Sequence, residues 1–249
     1  MAERVSIALI YPELLGAYSD RDNAEALAAR AVEHGLAPDV VTVHAPDPVP
    51  AGLDAYLLGG GESSDQARAA ELLRSPAGDG LRLAIGCGRQ VLAVGGGLQL
   101  LGRVIVDAAG RRIDGLGLLD LRTWAAAPRL VGELVVRIRD GGVLRGFEHH
   151  AGRTELGPGL APLGIVLKGA GNNGADATDG VRYGSITGTY LHGPVLRRNP
   201  RLADRLLSSV MAERGQALGA DAPLPLDEAA ELYLAGLEAA LARPRPMRI

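Results

Sequence analysis

Cysteine is nearly absent from this sequence, since Cys87 is the only one among 249 residues. A single thiol excludes an internal disulfide and a thiolate-rich metal site, which suits a protein of the reducing cytoplasm. Long apolar runs are missing too, because no segment approaches the ~20 apolar residues that a membrane-spanning helix needs. No basic leader with an apolar core and cleavage site opens the sequence. We therefore expect a cytoplasmic protein with no membrane span.

The sequence has no large excess of either charge: the net charge is -3, and acidic and basic residues are interspersed. This distribution offers no basic surface to phosphates, so we expect no nucleic-acid partner. The sequence lacks the G-x-x-x-x-G-K-[ST] motif that binds ATP in P-loop proteins. If the function of this protein requires ATP, we therefore expect the ATP to be used by another polypeptide. Adjacent His149 and His150 could suggest zinc, but on a strand they point to opposite faces, with no further Cys or His at ligand spacing. We predict neither a metal nor a cofactor.

The first hundred residues alternate between short branched-apolar segments and helical patterns. We predict strands at 5–10, 39–44, 55–58 and 91–94, and helices at 25–33, 64–74 and 79–85. Strand and helix segments in alternation are typical of an α/β fold, with a parallel sheet and helices on its faces. Ligands of such sheets bind at the carboxyl ends of the strands, where two glycine triplets fall, at 59–61 and 95–97.

Beyond residue 103 the apolar segments are shorter and glycines more frequent. Strands at 104–107, 130–138, 143–148 and 162–168 predict a smaller, mostly antiparallel extension that partly covers the site. A strand at 185–189 ends near His192, and Asn199 with Pro200 predicts a helix to about residue 213. We expect a main domain at 1–215, then a linker and a C-terminal helix packed on it at 216–249, the helix itself at 227–242.

The segment 91–102, Val-Leu-Ala-Val-Gly-Gly-Gly-Leu-Gln-Leu-Leu-Gly, is the most informative stretch. Its apolar residues and glycines predict a buried strand that turns sharply into a helix, as in a nucleophile elbow. The residue at the tip of such a turn faces backbone N–H groups that can stabilise an oxyanion. Here the tip is Gly95, which has no side chain with which to attack a substrate.

Six further segments occur with this elbow in a characteristic order and spacing: LLGGGE (57–62), GLGLLD (115–120), RLVGE (129–133), GFEHHAGR (146–153), GAGNNG (169–174) and GTYLHGP (188–194). Together they resemble the class I glutamine amidotransferases of the cobyric acid synthase-like (CobB/CobQ-like) branch, most of all the GatD glutaminase subunits of lipid II isoglutaminyl synthases. The resemblance implies a flavodoxin-like fold, L-glutamine as substrate, and a heterodimer with a MurT-like Mur ligase. That partner would use ATP and the released ammonia to amidate D-glutamate in peptidoglycan synthesis.

The resemblance also assigns roles to individual residues. His192 corresponds to the catalytic base, Gly95 to the position of the nucleophile, and Arg129 to an arginine with a substrate or partner function. Gly60, Gly61 and Gly96 are candidate oxyanion-hole residues, since glycine lets a substrate approach backbone N–H groups closely, although turn formation explains them equally well. Gln99 is expected to order backbone near the site. Many class I relatives orient the histidine with a glutamate two residues later, where this chain has Pro194, so the third member of the set is expected to be missing.

Gly95 leaves two interpretations of the activity. Cys87 precedes the elbow strand by four residues. At ~3.3 Å per strand residue it lies more than ~13 Å from the elbow, so we interpret it as a small, partly buried apolar residue and not as a substitute nucleophile. The first hypothesis is a GatD-like glutaminase subunit that has lost hydrolysis through Gly95. The alternatives are a non-catalytic homologue that serves binding or assembly, an engineered inactive variant, and, less favoured, a cobyrinate-type amidation role.

Overall fold

A computed structural model describes residues 2–140, 142–219, 235–237 and 239. Its strands are β1 (Arg4–Ile10), β2 (Ala37–Val43), β3 (Ala55–Leu58), β4 (Gln90–Val94), β5 (Val104–Val106), β6 (Arg112–Asp114), β7 (Leu121–Ile138), β8 (Val143–Leu156), β9 (Gly164–Lys168), β10 (Thr178–Asp179), β11 (Val181–Tyr183) and β12 (Ile186–Thr189). Its helices are α1 (Asp22–Glu33), α2 (Ser63–Arg74), α3 (Asp79–Gly86), α4 (Gly96–Leu101), α5 (Val195–Arg198) and α6 (Pro200–Glu213), with a 3-10 turn at Pro76–Gly78.

The first sheet has the strand order β11-β12-β4-β3-β1-β2. Adjacent strands of this sheet are parallel, except that β11 and β12 are antiparallel to each other. Every residue of the central strands β3 and β4 is buried, because helices cover both faces of the sheet. The predicted α/β architecture is therefore confirmed, and the carboxyl ends of β1, β3, β4 and β12 meet at one edge.

The second sheet has the order β10-β9-β7-β5-β6, with β8 paired to β7. Among the described strand pairs of this second sheet only β5–β7 is parallel, which confirms the mostly antiparallel extension. Strands β7 and β8 are much longer than the predicted 130–138 and 143–148. The pairing of β7 with β8 shifts its register between Ala125 and Leu130, a stretch that contains Pro128. Because this irregularity interrupts the strand pattern, the first half of β7 could not be predicted from the sequence.

The two sheets meet where β8 passes the end of β12. His192 N donates to Phe147 O at 2.8 Å, and Phe147 N donates to His192 O at 3.3 Å. This bridge ties the antiparallel extension to the segment after β12. As a result, the hairpin of β7 and β8 forms one wall above the carboxyl edge of the first sheet.

The predicted helix after Asn199 is confirmed, with Pro200 in its first turn. Asn199 does not cap α6 with its side chain, which instead accepts from Arg145 N at 2.8 Å and donates to Arg145 O at 2.9 Å. Most of the predicted helix 227–242 lies outside the described residues. Within that range the structure describes residues 235–237 and 239, which are helical. The division at residue 215 therefore stays a prediction. No helix in the described part of the chain has the length and apolar character to cross a membrane.

Candidate active site

The turn between β4 and α4 is the sharp elbow that the sequence predicts. Gly95 has φ 52° and ψ -110°, a left-handed conformation that glycine adopts far more readily than other residues. Its N–H donates to Thr189 O on the neighbouring strand at 2.8 Å, which fixes the turn to β12. A Cβ atom built on Gly95 would lie 3.0 Å from His192 Nε2 and 2.8 Å from His192 Cε1. A side chain at position 95 would therefore face the imidazole directly.

His192 is held from its other side by Asp20. The distances from His192 Nδ1 to the Asp20 carboxylate oxygens are 2.9 and 3.1 Å, and both side chains are almost completely buried. Gly60 N donates to the same carboxylate at 2.8 Å. With Nδ1–H donated to Asp20, Nε2 carries the lone pair that faces position 95. This is the arrangement of a general base and its orienting carboxylate.

The expectation that this set lacks a third member because of Pro194 was therefore wrong. Asp20 precedes α1 and lies 172 positions before His192 in the sequence. No local motif marks it, and the available signal was only its place after β1, at the carboxyl edge of a parallel sheet. The two residues that precede Asp20, Tyr18 and Ser19, have positive φ values of 56° and 64°. Such conformations are costly outside glycine and cluster at functional sites.

Tyr18 was also missed, and it lies across the imidazole. Its ring meets those of His192 and His149 edge-on, with centroids 5.0 Å apart in each case, and its hydroxyl hydrogen-bonds His149 Nδ1. Burial, followed by the nearby charge of Arg129, lowers the pKa of His149, which favours its neutral form. Tyr18 and His149 therefore form an aromatic wall beside His192.

The glycines proposed as oxyanion donors lie together, but they are not equivalent. The N–H of Gly60 is already donated to Asp20, so Gly60 supports the carboxylate and is not a free donor. Gly96 opens α4, where the N–H has no acceptor within the helix. A Cβ on Gly96 would lie 3.1 Å from Gly61 N, so the backbone of Gly61 packs against the first residue of α4. The N–H groups of Gly61 and Gly96 are the remaining candidate donors next to position 95.

Gln99 forms its side-chain hydrogen bonds with other side chains, and it reaches the backbone of the elbow only through Gln66. Its Oε1 accepts from Gln66 Nε2 at 2.8 Å, and its Nε2 donates to the Tyr190 hydroxyl at 3.0 Å. Gln66 Nε2 also reaches Gly96 O at 3.1 Å. The hydroxyl of Tyr190 continues the chain to Thr154 Oγ1 at 2.5 Å. This buried network joins α2, the elbow helix α4 and the second sheet beneath the site.

Tyr18, Gln66 and Gln99 line one open cleft together with the glycines at 60, 61, 95 and 96, and the cleft with its solvent-filled mouth has a volume of about 630 Å³. Gly95, Gly96 and His192 form its floor, while Arg129, His149 and His150 come from the β7–β8 wall. Arg129 Nη2 donates to His149 O, with a distance of 3.4 Å. His150 is buried and stacks on Tyr190 with a centroid distance of 3.9 Å, so the neighbouring histidines differ in exposure as expected for a strand.

Cys87 lies elsewhere. It follows α3 and precedes β4, so it is at the amino end of the strand that carries Gly95 at its carboxyl end. It is exposed, and the prediction of a partly buried residue was wrong, because α3 stops at Gly86 and leaves Cys87 in a surface turn.

A family model of the CobB/CobQ-like glutamine amidotransferase domain matches residues 6–200. The chain belongs to this family. It is 36% identical over 202 residues to the lipid II isoglutaminyl synthase (glutamine-hydrolyzing) subunit GatD of Staphylococcus aureus, covering 81% of this chain and 82% of the relative. It is 34% identical to the GatD subunit of Streptococcus pneumoniae, over 90% of this chain and 86% of that one.

The fold agrees with this family. A crystal structure of a glutamine amidotransferase superposes with a TM-score of 0.58 and 20% identity, covering 82% of this chain and 98% of the other. At that identity the likeness establishes the fold alone. The family membership rests on the sequence match, and the roles of the site residues rest on the geometry of this chain.

Proposed function

We propose that this chain is the GatD-like amidotransferase subunit of an ATP-dependent amidating complex, and that it has lost glutamine hydrolysis because residue 95 is glycine. The observation that carries this proposal is the direction of the missing side chain. An atom at the Cβ position of residue 95 would lie 3.0 Å from His192 Nε2, at the floor of the cleft. His192, with Asp20 behind it, and the backbone of Gly61 and Gly96 lie around that position, which supports the proposal.

The chemistry explains why a single residue is decisive. A thiol at position 95 would give its proton to His192 Nε2 and attack the carboxamide carbon of glutamine. The N–H groups of Gly61 and Gly96 would stabilise the resulting oxyanion, and His192 would return the proton to the departing ammonia, which leaves a thioester. A water molecule that gives a proton to His192 would then attack the thioester, and glutamate would leave as the thiol takes that proton back. Asp20 would stabilise the imidazolium between the two steps. With glycine at position 95 no covalent bond to the substrate can form, and only binding and oxyanion stabilisation remain.

The proposed partner is a MurT-like Mur ligase that forms a heterodimer with this chain and amidates D-glutamate of a lipid II-type peptidoglycan precursor. Two observations support this choice. The GatD relatives are named as subunits of lipid II isoglutaminyl synthase and match most of the chain. The sequence itself has no P-loop motif with which to bind ATP. Gly95 lies on the floor of the cleft, so the lack of a side chain at this position does not change the outer surface that would bind the partner.

Co-expression with the Mur-ligase homologue encoded nearest to this chain tests the proposal. Sizing with light scattering should give one heterodimer peak, and the purified complex should amidate its precursor with ammonium but not with glutamine. Two separate monomer peaks at micromolar concentration would refute the partnership. Amidation supported by glutamine would refute the loss of hydrolysis.

A further inference from the structure

A group of exposed arginines lies at the junction of α5 and α6, on the segment that follows His192. Arg197 and Arg198 end α5, and Arg201 lies in the first turn of α6. All three residues are exposed. Arg198 Nε donates to Gly193 O, and among the described contacts none of the three arginines forms an ion pair. Their positive charges are therefore not neutralised within the part of the chain that the structure describes.

Folding brings further arginines from the β7–β8 hairpin to this junction. The side chain of Asn199 hydrogen-bonds the backbone of Arg145 on β8. Arg205 on α6 forms an ion pair with Asp140, which follows the exposed Arg139 in the turn after β7. The arginine patch is defined by Arg139, Arg145, Arg197, Arg198, Arg201 and Arg205. The expectation that the chain offers no basic surface to phosphates was therefore wrong, because Asn199 and Arg145 are 54 positions apart and meet only in the fold.

The arginine patch is unfavourable for the chain by itself. The net charge of the chain is -3, so these arginines are a local excess of positive charge, although Asp140 pairs with Arg205. Arg201 also lies near the N-terminal end of α6, whose partial positive charge favours acidic residues, and the first turn of α6 has none. Contact with an anionic partner would therefore stabilise this surface.

The arginine patch lacks the large apolar side chains that a protein partner would bury. In the described part of the chain such exposed residues lie outside α5, α6 and the turn after β7, namely Val32, Val40, Leu83, Trp124, Val131, Ile165 and Tyr183. The core of a protein interface is depleted of charged residues. Attraction of basic side chains to an anionic membrane is electrostatic and needs no apolar core, and a guanidinium group can bind two phosphate oxygens at once. The patch therefore fits the phosphate groups of a lipid surface better than it fits a protein.

We propose that the arginine patch docks the chain on an anionic membrane surface, by contact with the phosphate groups of its lipids. The inference rests on the proposed function, because a lipid II-type precursor is held in a membrane by its lipid. The helix α5 begins shortly after His192, so the patch borders the edge of the sheet at which the cleft opens. Docking through the patch would keep the assembly at the surface that presents its precursor.

Co-sedimentation of the full chain with lipid vesicles tests the proposal. Vesicles of phosphatidylcholine alone are compared with vesicles of phosphatidylcholine and phosphatidylglycerol in equal amounts, at about 0.1 M salt, where the Debye length is about 10 Å. The unmodified chain should bind the anionic vesicles and not the neutral ones. Arg197→Gln combined with Arg201→Gln should lower the partition coefficient roughly 30-fold, at about fivefold per arginine near the surface. Arg197→Lys combined with Arg201→Lys keeps both charges and should keep most of the binding.

Arg68→Gln combined with Arg112→Gln is the matched control, because it removes the same charge from exposed arginines on α2 and β6. This variant should bind the anionic vesicles as the unmodified chain does. Equal binding to both kinds of vesicle, no binding to either, or an equal loss in the control variant would each overturn the proposal.

Two other partners of the arginine patch have their own readouts. If Arg197→Gln with Arg201→Gln leaves vesicle binding unchanged but removes the heterodimer peak, the patch binds the ligase and the proposal is wrong. Binding of single-stranded DNA in place of anionic vesicles would overturn it in favour of nucleic acid. The proposed function fails by a different readout, namely the heterodimer peak of the unmodified chain and the use of ammonium, neither of which requires vesicles.

Discussion

Gly95→Cys should restore glutamine hydrolysis at a moderate cost in stability. The new residue must adopt φ 52°, and such a strained conformation costs on the order of 1–3 kcal/mol. Its Cβ would approach His192 Cε1 to 2.8 Å, so the imidazole must move by a few tenths of an ångström. A domain of this size has a free energy of unfolding of about 5–15 kcal/mol, so the variant should fold. Its Tm should fall by about 2–12 °C, at roughly 2–4 °C per kcal/mol.

The gain in activity should be large, because removal of a covalent nucleophile can lower kcat on the order of 10⁶-fold. Ammonia release from L-glutamine is the assay, together with intact-mass detection of alkylation by a diazoketone analogue of glutamine. Gly95→Ala is the matched control: it has the same backbone strain and the same contact with His192 but no thiol. It should lose stability to the same extent and release no ammonia. In the Gly95→Cys background, His192→Ala should abolish activity again.

A folded Gly95→Cys variant that neither releases ammonia nor becomes alkylated would refute this reasoning. In that case the cleft would no longer accept a glutamine-like ligand, and a purely non-catalytic binding or assembly role would be the better account. A variant that is alkylated but does not release ammonia would place the failure in His192 or in the oxyanion donors.

Three further outcomes are expected. In the Gly95→Cys background, Asp20→Asn should lower kcat by about 10²–10⁴-fold with little change in KM, because the carboxylate orients His192 and stabilises its protonated form. Cys87→Ser should leave ammonia release, alkylation and Tm unchanged. Burial raises the pKa of Asp179 to about 6, so the fold is most stable with this group protonated, and stability should fall as pH rises from about 4 to 6. Asp179→Asn should flatten that part of the curve of Tm against pH, and an unchanged slope would contradict the assignment.

The first sheet and its elbow could be predicted because they depend on local patterns. Buried parallel strands are continuous apolar runs, and the glycines at 95–97 interrupt such a run where the chain must turn. The strands of the β7–β8 hairpin could not be delimited, because their exposed residues and the irregularity near Pro128 break the alternation. Their lengths depend on the pairing between distant segments, which no local pattern records.

The site was predicted only as far as its motifs extend. His192 and Gly95 stand in recognisable segments, whereas Asp20 and Tyr18 come from a loop without a motif and reach the imidazole only after β1 and β12 join one sheet. Gln66 was missed for the same reason, since its role depends on its contact with Gln99, 33 positions away. The occupied N–H of Gly60 likewise follows from a tertiary contact.

The most direct test of the central claim is ammonia release from L-glutamine by the unmodified chain, alone and in the purified complex with its ligase. The account predicts no release above the uncatalysed rate in either state, while the complex still amidates its precursor with added ammonium. Ammonia release by the unmodified chain that persists in Cys87→Ser and disappears in His192→Ala would contradict it. Some group other than a thiol would then attack the carboxamide beside Gly95.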